Sequence, residues 1–279
     1  MNRRRYLAGC GSLTSAAVAG CISNLPYSSS KQVPSSDVFA RHWYDPTELV
    51  VEFQDDVDVK RANLVEPAAD LEYESVDRPG GSLRFQVVFP DRLETYLGAR
   101  PGLRVTAQTD DGIARQSVWE PIHGVARAVE ALPDGRARFD LENQGEAPLL
   151  VRFVGIYGDV PNPTIDPTTD SFDLTTFDLG PGVIGIGANR PLTPSRTDLV
   201  IPAGVKKSFE TTYAPFSFPS TAPTRTCDGE DRTGMISIVP ASGGSTAYQF
   251  TYQLDGEMSP LDGHPATVCD TPSPSDTKD

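Results

Sequence analysis

Past residue 36 apolar and polar residues alternate with period two, the pattern of strands that put one face on a core and the other in water. Leu49, Val51 and Phe53 alternate with Glu48, Glu52 and Gln54, although Val50 interrupts the polar face. Leu83, Phe85, Val87 and Phe89 alternate with Arg84 and Gln86, and Leu103, Val105 and Ala107 with Arg104, Thr106 and Gln108. Ala137, Phe139 and Leu141 face away from Arg138, Asp140 and Glu142; Tyr248, Phe250, Tyr252 and Leu254 face away from Gln249, Thr251 and Gln253. Residues 149–157 are apolar on nearly both faces and predict a central strand. No stretch of about ten residues beyond Cys21 carries a helical period.

Turn signals separate these runs: Arg78-Pro-Gly-Gly, Asp110-Asp-Gly, Pro133-Asp-Gly, Asn143-Gln-Gly and Ser242-Gly-Gly. Short strands at this spacing predict an all-β chain of antiparallel β-sandwiches. A boundary near Glu120-Pro121-Ile122-His123-Gly124 gives two domains, 37–121 and 122–270, both of ordinary size. The segment from Asp134 to Phe153, with Asn143-Gln-Gly and Ala147-Pro between its strands, resembles a hairpin of immunoglobulin-like modules in archaeal and bacterial surface proteins. That resemblance implies an immunoglobulin-like sandwich for the second domain and says little about function. For the first domain the same assignment rests on alternation alone.

Charge narrows the partners. The chain has 38 acidic and 24 basic residues and a net charge of −14; loss of Arg3, Arg4 and Arg5 with residues 1–20 would take it to about −17. Lys occurs only at 31, 60, 206, 207 and 278. Such a surface repels polyphosphate, so no nucleic-acid partner is expected. Its acid-rich, Lys-poor character resembles that of proteins from extreme halophiles, where concentrated salt screens self-repulsion.

The first residues carry the most specific signal. Three arginines, a weakly apolar stretch of about a dozen residues and a small-residue junction make the parts of a signal peptide, residues 1–20. The stretch is too short to span ~30 Å of hydrocarbon. Arg3, Arg4, Tyr6 and Leu7 resemble a twin-arginine export motif, and Val18-Ala19-Gly20-Cys21 resembles a lipobox. Together they resemble twin-arginine-exported surface lipoproteins of the haloarchaeal type. The resemblance implies export, cleavage before Cys21 and lipid on Cys21, with a place on the extracellular face of the cell membrane. Leu7-Ala8-Gly9-Cys10 also fits a lipobox but leaves almost no apolar segment behind the arginines. Residues 21–36 have the Ser- and Pro-rich composition of a flexible tether, and 271–279 that of a disordered tail.

Cys227 and Cys269 are the cysteines left beyond the lipobox, and in an exported chain they are expected to form a disulfide. Its loop of about 43 residues would restrict the unfolded chain by about 4 kcal/mol on the entropic model. A metal site at His264 and Cys269, or two free thiols, are the rival readings.

Catalytic and cofactor signatures are sparse. The sequence holds no His-Glu-x-x-His, no Gly-x-Ser-x-Gly and no phosphate-binding Gly-x4-Gly-Lys. Gly180-Pro-Gly-Val-Ile-Gly185 lacks the strand and helix that a dinucleotide fingerprint needs and reads as a turn. Cofactors and catalytic residues are therefore not expected. The irregular stretch 158–195 carries Asp166, Asp170 and Asp173, whose oxygens suit Ca²⁺ but equally suit ordinary acidic surface. Asp228-Gly-Glu-Asp231 is a second, weaker candidate, and Trp43-Tyr44 reads as a sugar-stacking pair or an aromatic anchor. Three function classes follow. The leading one is a non-enzymatic binding or structural module of the envelope, with envelope proteins or glycans as partners. The others are a solute- or metal-binding lipoprotein using 158–195, and an envelope hydrolase assembled in space around His42, His123 or His264.

Overall fold

The computed structural model describes residues 31–92, 94–95, 102–169, 172 and 196–274, without the side chains at 94, 95, 196, 197 and 271–274. The signal peptide, Cys21, Arg3, Arg4, Tyr6 and Leu7, Gly180–Gly185 and the last residues of the expected tail lie outside the described residues.

The described chain is all-β, as its alternation predicts. Its first part runs through β1 (Phe39–Asp45), β2 (Glu48–Phe53), β3 (Arg61–Glu66), β4 (Leu71–Asp77) and β5 (Ser82–Gln86). The short pair β6 (Val88–Phe89) and β7 (Glu94–Thr95) follows, then β8 (Arg104–Gln108) and β9 (Ile113–Ser117). They form antiparallel sheets in the orders β1-β2-β5 and β4-β3-β8-β9. Leu49, Val51, Phe53, Leu83 and Phe85 point inward from one sheet, Ala62, Leu64, Val105 and Ala107 from the other, and all join one apolar cluster. Val50, which breaks the alternation, is also buried, on the opposite face, where its cross-strand neighbours are Trp43 and Arg84.

The second part runs through β10 (Gly124–Ala131), β11 (Ala137–Asn143), β12 (Leu149–Gly158), β13 (Val200–Ile201) and β14 (Lys206–Glu210). It continues with β15 (Phe218–Pro219), β16 (Arg232–Pro240), β17 (Thr246–Pro260) and β18 (Ala266–Pro274). The sheets here are β10-β11-β14 and β13-β12-β16-β17-β18-β15, and no ladder among the described residues joins them to the first pair. β12 lies between β13 and β16 and buries every residue except Arg152 and Gly158, as its two-sided apolar sequence predicts. Phe250, Tyr252 and Leu254 of β17 are buried, and the Tyr252 hydroxyl donates to Asp159 O at 2.6 Å.

Two boundaries differ from the sequence reading. The tether's last residues are docked rather than free: Val33 N donates to Ile113 O at 3.0 Å and Ile113 N to Lys31 O at 2.9 Å. Gln32 forms a parallel bridge with Ile113, and Ser35–Asp37 makes a 3-10 turn. The backbone of β9 has an open edge, so a polar segment can be recruited there without apolar side chains. At the other end β18 continues through Pro274, with Leu254 opposite Pro272 and Tyr252 opposite Pro274, so residues 271–274 of the expected tail are strand. β17 is long enough to template those polar residues.

Residues 118–123 connect β9 to β10, and hydrogen bonds fasten them. Gln144 N donates to His123 O at 2.8 Å, and Glu146 N and Ala147 N to Pro121 O at 3.1 and 3.3 Å. Asn143, fully buried, holds the turn that supplies those donors. Its Nδ2 donates to Ala147 O at 2.8 Å and Ile201 O at 2.9 Å, and its Oδ1 accepts from Gly145 N at 3.0 Å. From the first pair of sheets the Tyr44 hydroxyl donates to Val118 O, and His42 Nε2 lies 3.6 Å from Glu120 Oε1.

Candidate functional site

At one end of the second pair of sheets three loops enclose a groove of about 910 Å³, within the range of ligand sites. Its walls are the β10–β11 turn around Asp134 and Arg136, the segment 212–219, and the β17–β18 hairpin around Asp262 and His264.

Each wall has a local cause. The Pro133-Asp-Gly turn places Gly135 at φ +76, where a Cβ would lie 2.8 Å from Val268 Cγ1 and 3.0 Å from Ser217 N, so glycine is required. Asp134 Oδ1 accepts from Arg136 N at 3.1 Å, and Arg136 Nε donates to Asp134 Oδ2 at 2.6 Å. Burial opposes ionisation of Asp134, but the hydrogen bonds and charge of Arg136 outweigh it and hold the carboxyl below its ordinary range. Arg136 also reaches Glu210 at 3.1 Å. The 212–219 wall hangs on buried Thr211, whose Oγ1 accepts from Ala137 N at 2.8 Å and donates to Tyr213 O at 2.5 Å. Tyr213 is pushed well above the usual phenol range by burial, and its hydroxyl donates to Ile156 O at 3.2 Å. The hairpin wall is tied down by the disulfide between Cys227 and Cys269, the pairing expected from the sequence, with S–S 2.08 Å.

The groove is edged by prolines and mixes polar and apolar side chains. Its serines are engaged elsewhere: Ser259 Oγ donates to Asp270 Oδ1 at 2.7 Å and Ser217 Oγ to Ala214 O at 2.9 Å. Among the described residues no hydrogen bond joins the His264 side chain to a serine or a carboxylate. The three histidines stand apart. His42 meets Glu120, exposed His123 precedes β10, and His264 lines the groove.

Of the Ca²⁺ candidates only Asp166 is described; Asp170 and Asp173 lie outside the described residues. Asp166 Oδ1 accepts from Thr168 N at 2.8 Å and Thr168 Oγ1 at 2.7 Å, a local turn that occupies one oxygen. Among the described residues no group of three or more His, Cys, Asp or Glu could hold a metal ion. Asp228 accepts from Arg232 at 3.1 Å and Asp231 from Gln253 at 2.7 Å, so these carboxylates do not converge on one point. Trp43 carries the Arg41 guanidinium 4.8 Å from its ring centroid.

The sequence reading missed the groove because its walls come from residues far apart in the chain. The usable signals were the Pro133-Asp-Gly turn and the cysteine pair. No protein-family model matches the chain, and no curated protein matches it. A solved β-glycosidase from Bacteroides vulgatus is similar over 76% of this chain and 24% of its own, at 10% identity. The chain thus spans about a quarter of that enzyme's length. With a TM-score of 0.19 the likeness bears on neither fold nor activity.

Proposed function

We propose that the chain is an exported lipoprotein, anchored through lipid on Cys21 at the outer face of the cell membrane. In this reading its two immunoglobulin-like β-sandwich domains serve as a non-enzymatic binding or structural module of the envelope. The observation that carries the reading is the Cys227–Cys269 disulfide, which joins the cysteines left beyond the lipobox. Disulfides persist in oxidising compartments and are rare in a reducing cytosol. The order Arg3, Arg4, Tyr6, Leu7, then Cys21, supports the same compartment. Docking of Lys31 and Val33 on β9 adds a geometric reason. It leaves about ten residues between lipid and body, a reach of at most roughly 35 Å. The groove at the loop end of the second pair of sheets, where sandwiches commonly carry binding loops, is the surface offered to an envelope protein or glycan.

The test compares intact mass and membrane partitioning of the exported chain with those of Cys21→Ser. A lipid-sized mass increment that the variant loses, together with its release into the medium, is the expected result. An unmodified chain in the medium from both versions would overturn the anchoring.

A further inference from the structure

The outer face of the sheet β4-β3-β8-β9 should be a wet surface, and in one place it is not. Register puts Ser75, Asn63, Thr106 and Arg115 in one row across that face, with Glu72, Val65 and Arg104 in the next. Yet Asn63 is only 2% exposed and Thr106 only 6%. The route from β3 to β4 runs beside this place. The chain makes a 3-10 turn at Pro67–Ala69, reverses through Asp70 at φ 52, and returns with a bulge between Leu64 and Val65. This connection and the sheet enclose a cavity of about 240 Å³.

The cavity has two charged poles and an apolar middle. Glu72 is fixed at one end by Asn63 Nδ2, which donates to its Oε2 at 2.6 Å, and Asp70 lies beside it. Arg115 is at the other end, with no ion pair or side-chain hydrogen bond among the described residues. Val65 and Pro67 line the space between, and Leu71, 44% exposed, is an apolar wall. Thr106 also lines it, and its buried hydroxyl has no hydrogen-bond partner among the described residues. Buried polar groups are nearly always satisfied, because an orphan costs about 1–3 kcal/mol. Glu72 and Arg115 belong to the two edge strands of this sheet, three strand spacings or roughly 14 Å apart in backbone. Among the described residues no ion pair joins them.

We propose that this cavity binds a short zwitterionic peptide. Its amino group meets Glu72 and Asp70, and its carboxylate takes the planar fork of Arg115. An apolar side chain covers Val65 and Leu71. With side chains reaching in from both edges, the gap suits two or three residues at ~3.3–3.6 Å each. The site is separate from the second-domain groove and does not depend on the anchoring.

Calorimetric titration of the purified full-length chain with Leu-Leu, N-acetyl-Leu-Leu and Leu-Leu-amide tests it. Leu-Leu is expected to bind, and each capped form to lose roughly tenfold or more, the worth of one charge-assisted hydrogen bond. Arg115→Gln should bind Leu-Leu and its amide alike, and Glu72→Gln should bind Leu-Leu and its N-acetyl form alike. Both substitutions are at incompletely buried positions, so circular dichroism should be unchanged. Absence of Leu-Leu binding at millimolar concentration overturns the proposal, as does equal binding of all three probes or unaltered discrimination by the variants. The Cys21→Ser chain should titrate like the parent, which keeps this result separate from the anchoring experiment.

Discussion

Gly145 lies against the connector so closely that a Cβ there would meet Pro121 O first, with His123 N at 2.7 Å and Ile122 Cα at 2.9 Å. All three neighbours are backbone, which cannot swing aside as a side-chain tip can. Gly145→Ala must therefore push the β11–β12 turn off the connector and lengthen the bonds from Glu146 and Ala147 to Pro121 O. A loss of about 1–3 kcal/mol is expected, the usual cost of overpacking. Denaturant unfolding measures it. Gly81→Ala is the control, since nothing lies within 4 Å of a Cβ there, and it should stay within about 0.5 kcal/mol of the parent.

Asn143 makes that turn possible, and its amide cannot be replaced by a carboxylate. Its Nδ2 donates to two carbonyls, Ala147 O and Ile201 O, at a position closed to solvent. Asn143→Asp turns two hydrogen bonds into contacts between a carboxylate and carbonyl oxygens. We expect a loss of about 3 kcal/mol or more at pH 7, where the new carboxylate is ionised. The loss should shrink at pH 4, because protonation restores a donor. A pH-independent loss would mean that packing, and not the donors of the amide, sets the cost.

The same turn shows how far the sequence could be read. Asn143-Gln-Gly was legible as a hairpin signal because Asn and Gly at that spacing satisfy a tight turn locally. Its second role, clasping the connector, was not legible, because the acceptor Pro121 O belongs to the backbone and leaves no trace in residue type. Alternation revealed β5, β11 and β17, where one face is apolar and the other wet, and also β2 and β8, although Val50 and Thr106 are buried on their outer faces. It failed for β3, where Asn63 is buried on the outer face and hydrogen-bonds to Glu72. The cysteine pair was readable from the cysteine count and from the export signal that the first residues resemble. The groove was not, since Asp134, Ser217 and His264 meet only after the sheets form.

The disulfide should matter chiefly to the unfolded chain. Cys227 and Cys269 are 42 positions apart, and on the entropic model a loop of that size is worth about 4 kcal/mol. The double variant Cys227→Ser/Cys269→Ser is expected to lose about that amount in denaturant unfolding. Reduction of the parent should reproduce the loss. Equal stability of the oxidised and reduced parent would remove the bond from the account of the fold.

The connector also carries a pH dependence, set at Glu120. Burial raises the pKa of this carboxyl above its ordinary value; a hydrogen bond with Glu146 and that group's charge raise it further, while His42 pulls it down. A carboxyl whose pKa is higher folded than unfolded contributes stability that is complete below the unfolded value, near 4.3. That contribution is lost as pH rises through the folded value. Above this window Glu120 is ionised in partial burial beside a second carboxylate, and the fastening at Pro121 is weakened. Glu146→Gln removes the like charge but keeps a hydrogen-bonding side chain and the backbone donor to Pro121 O. It should therefore raise stability at pH 7 and leave stability at pH 4 nearly unchanged, as read by thermal unfolding at the two pH values. Hydrogen exchange at the Gln144 and Glu146 amides locates the effect: both should exchange more slowly in the variant at pH 7. An equal gain at both pH values would show that the substitution acts through turn conformation, and Glu120 would not be the group that titrates.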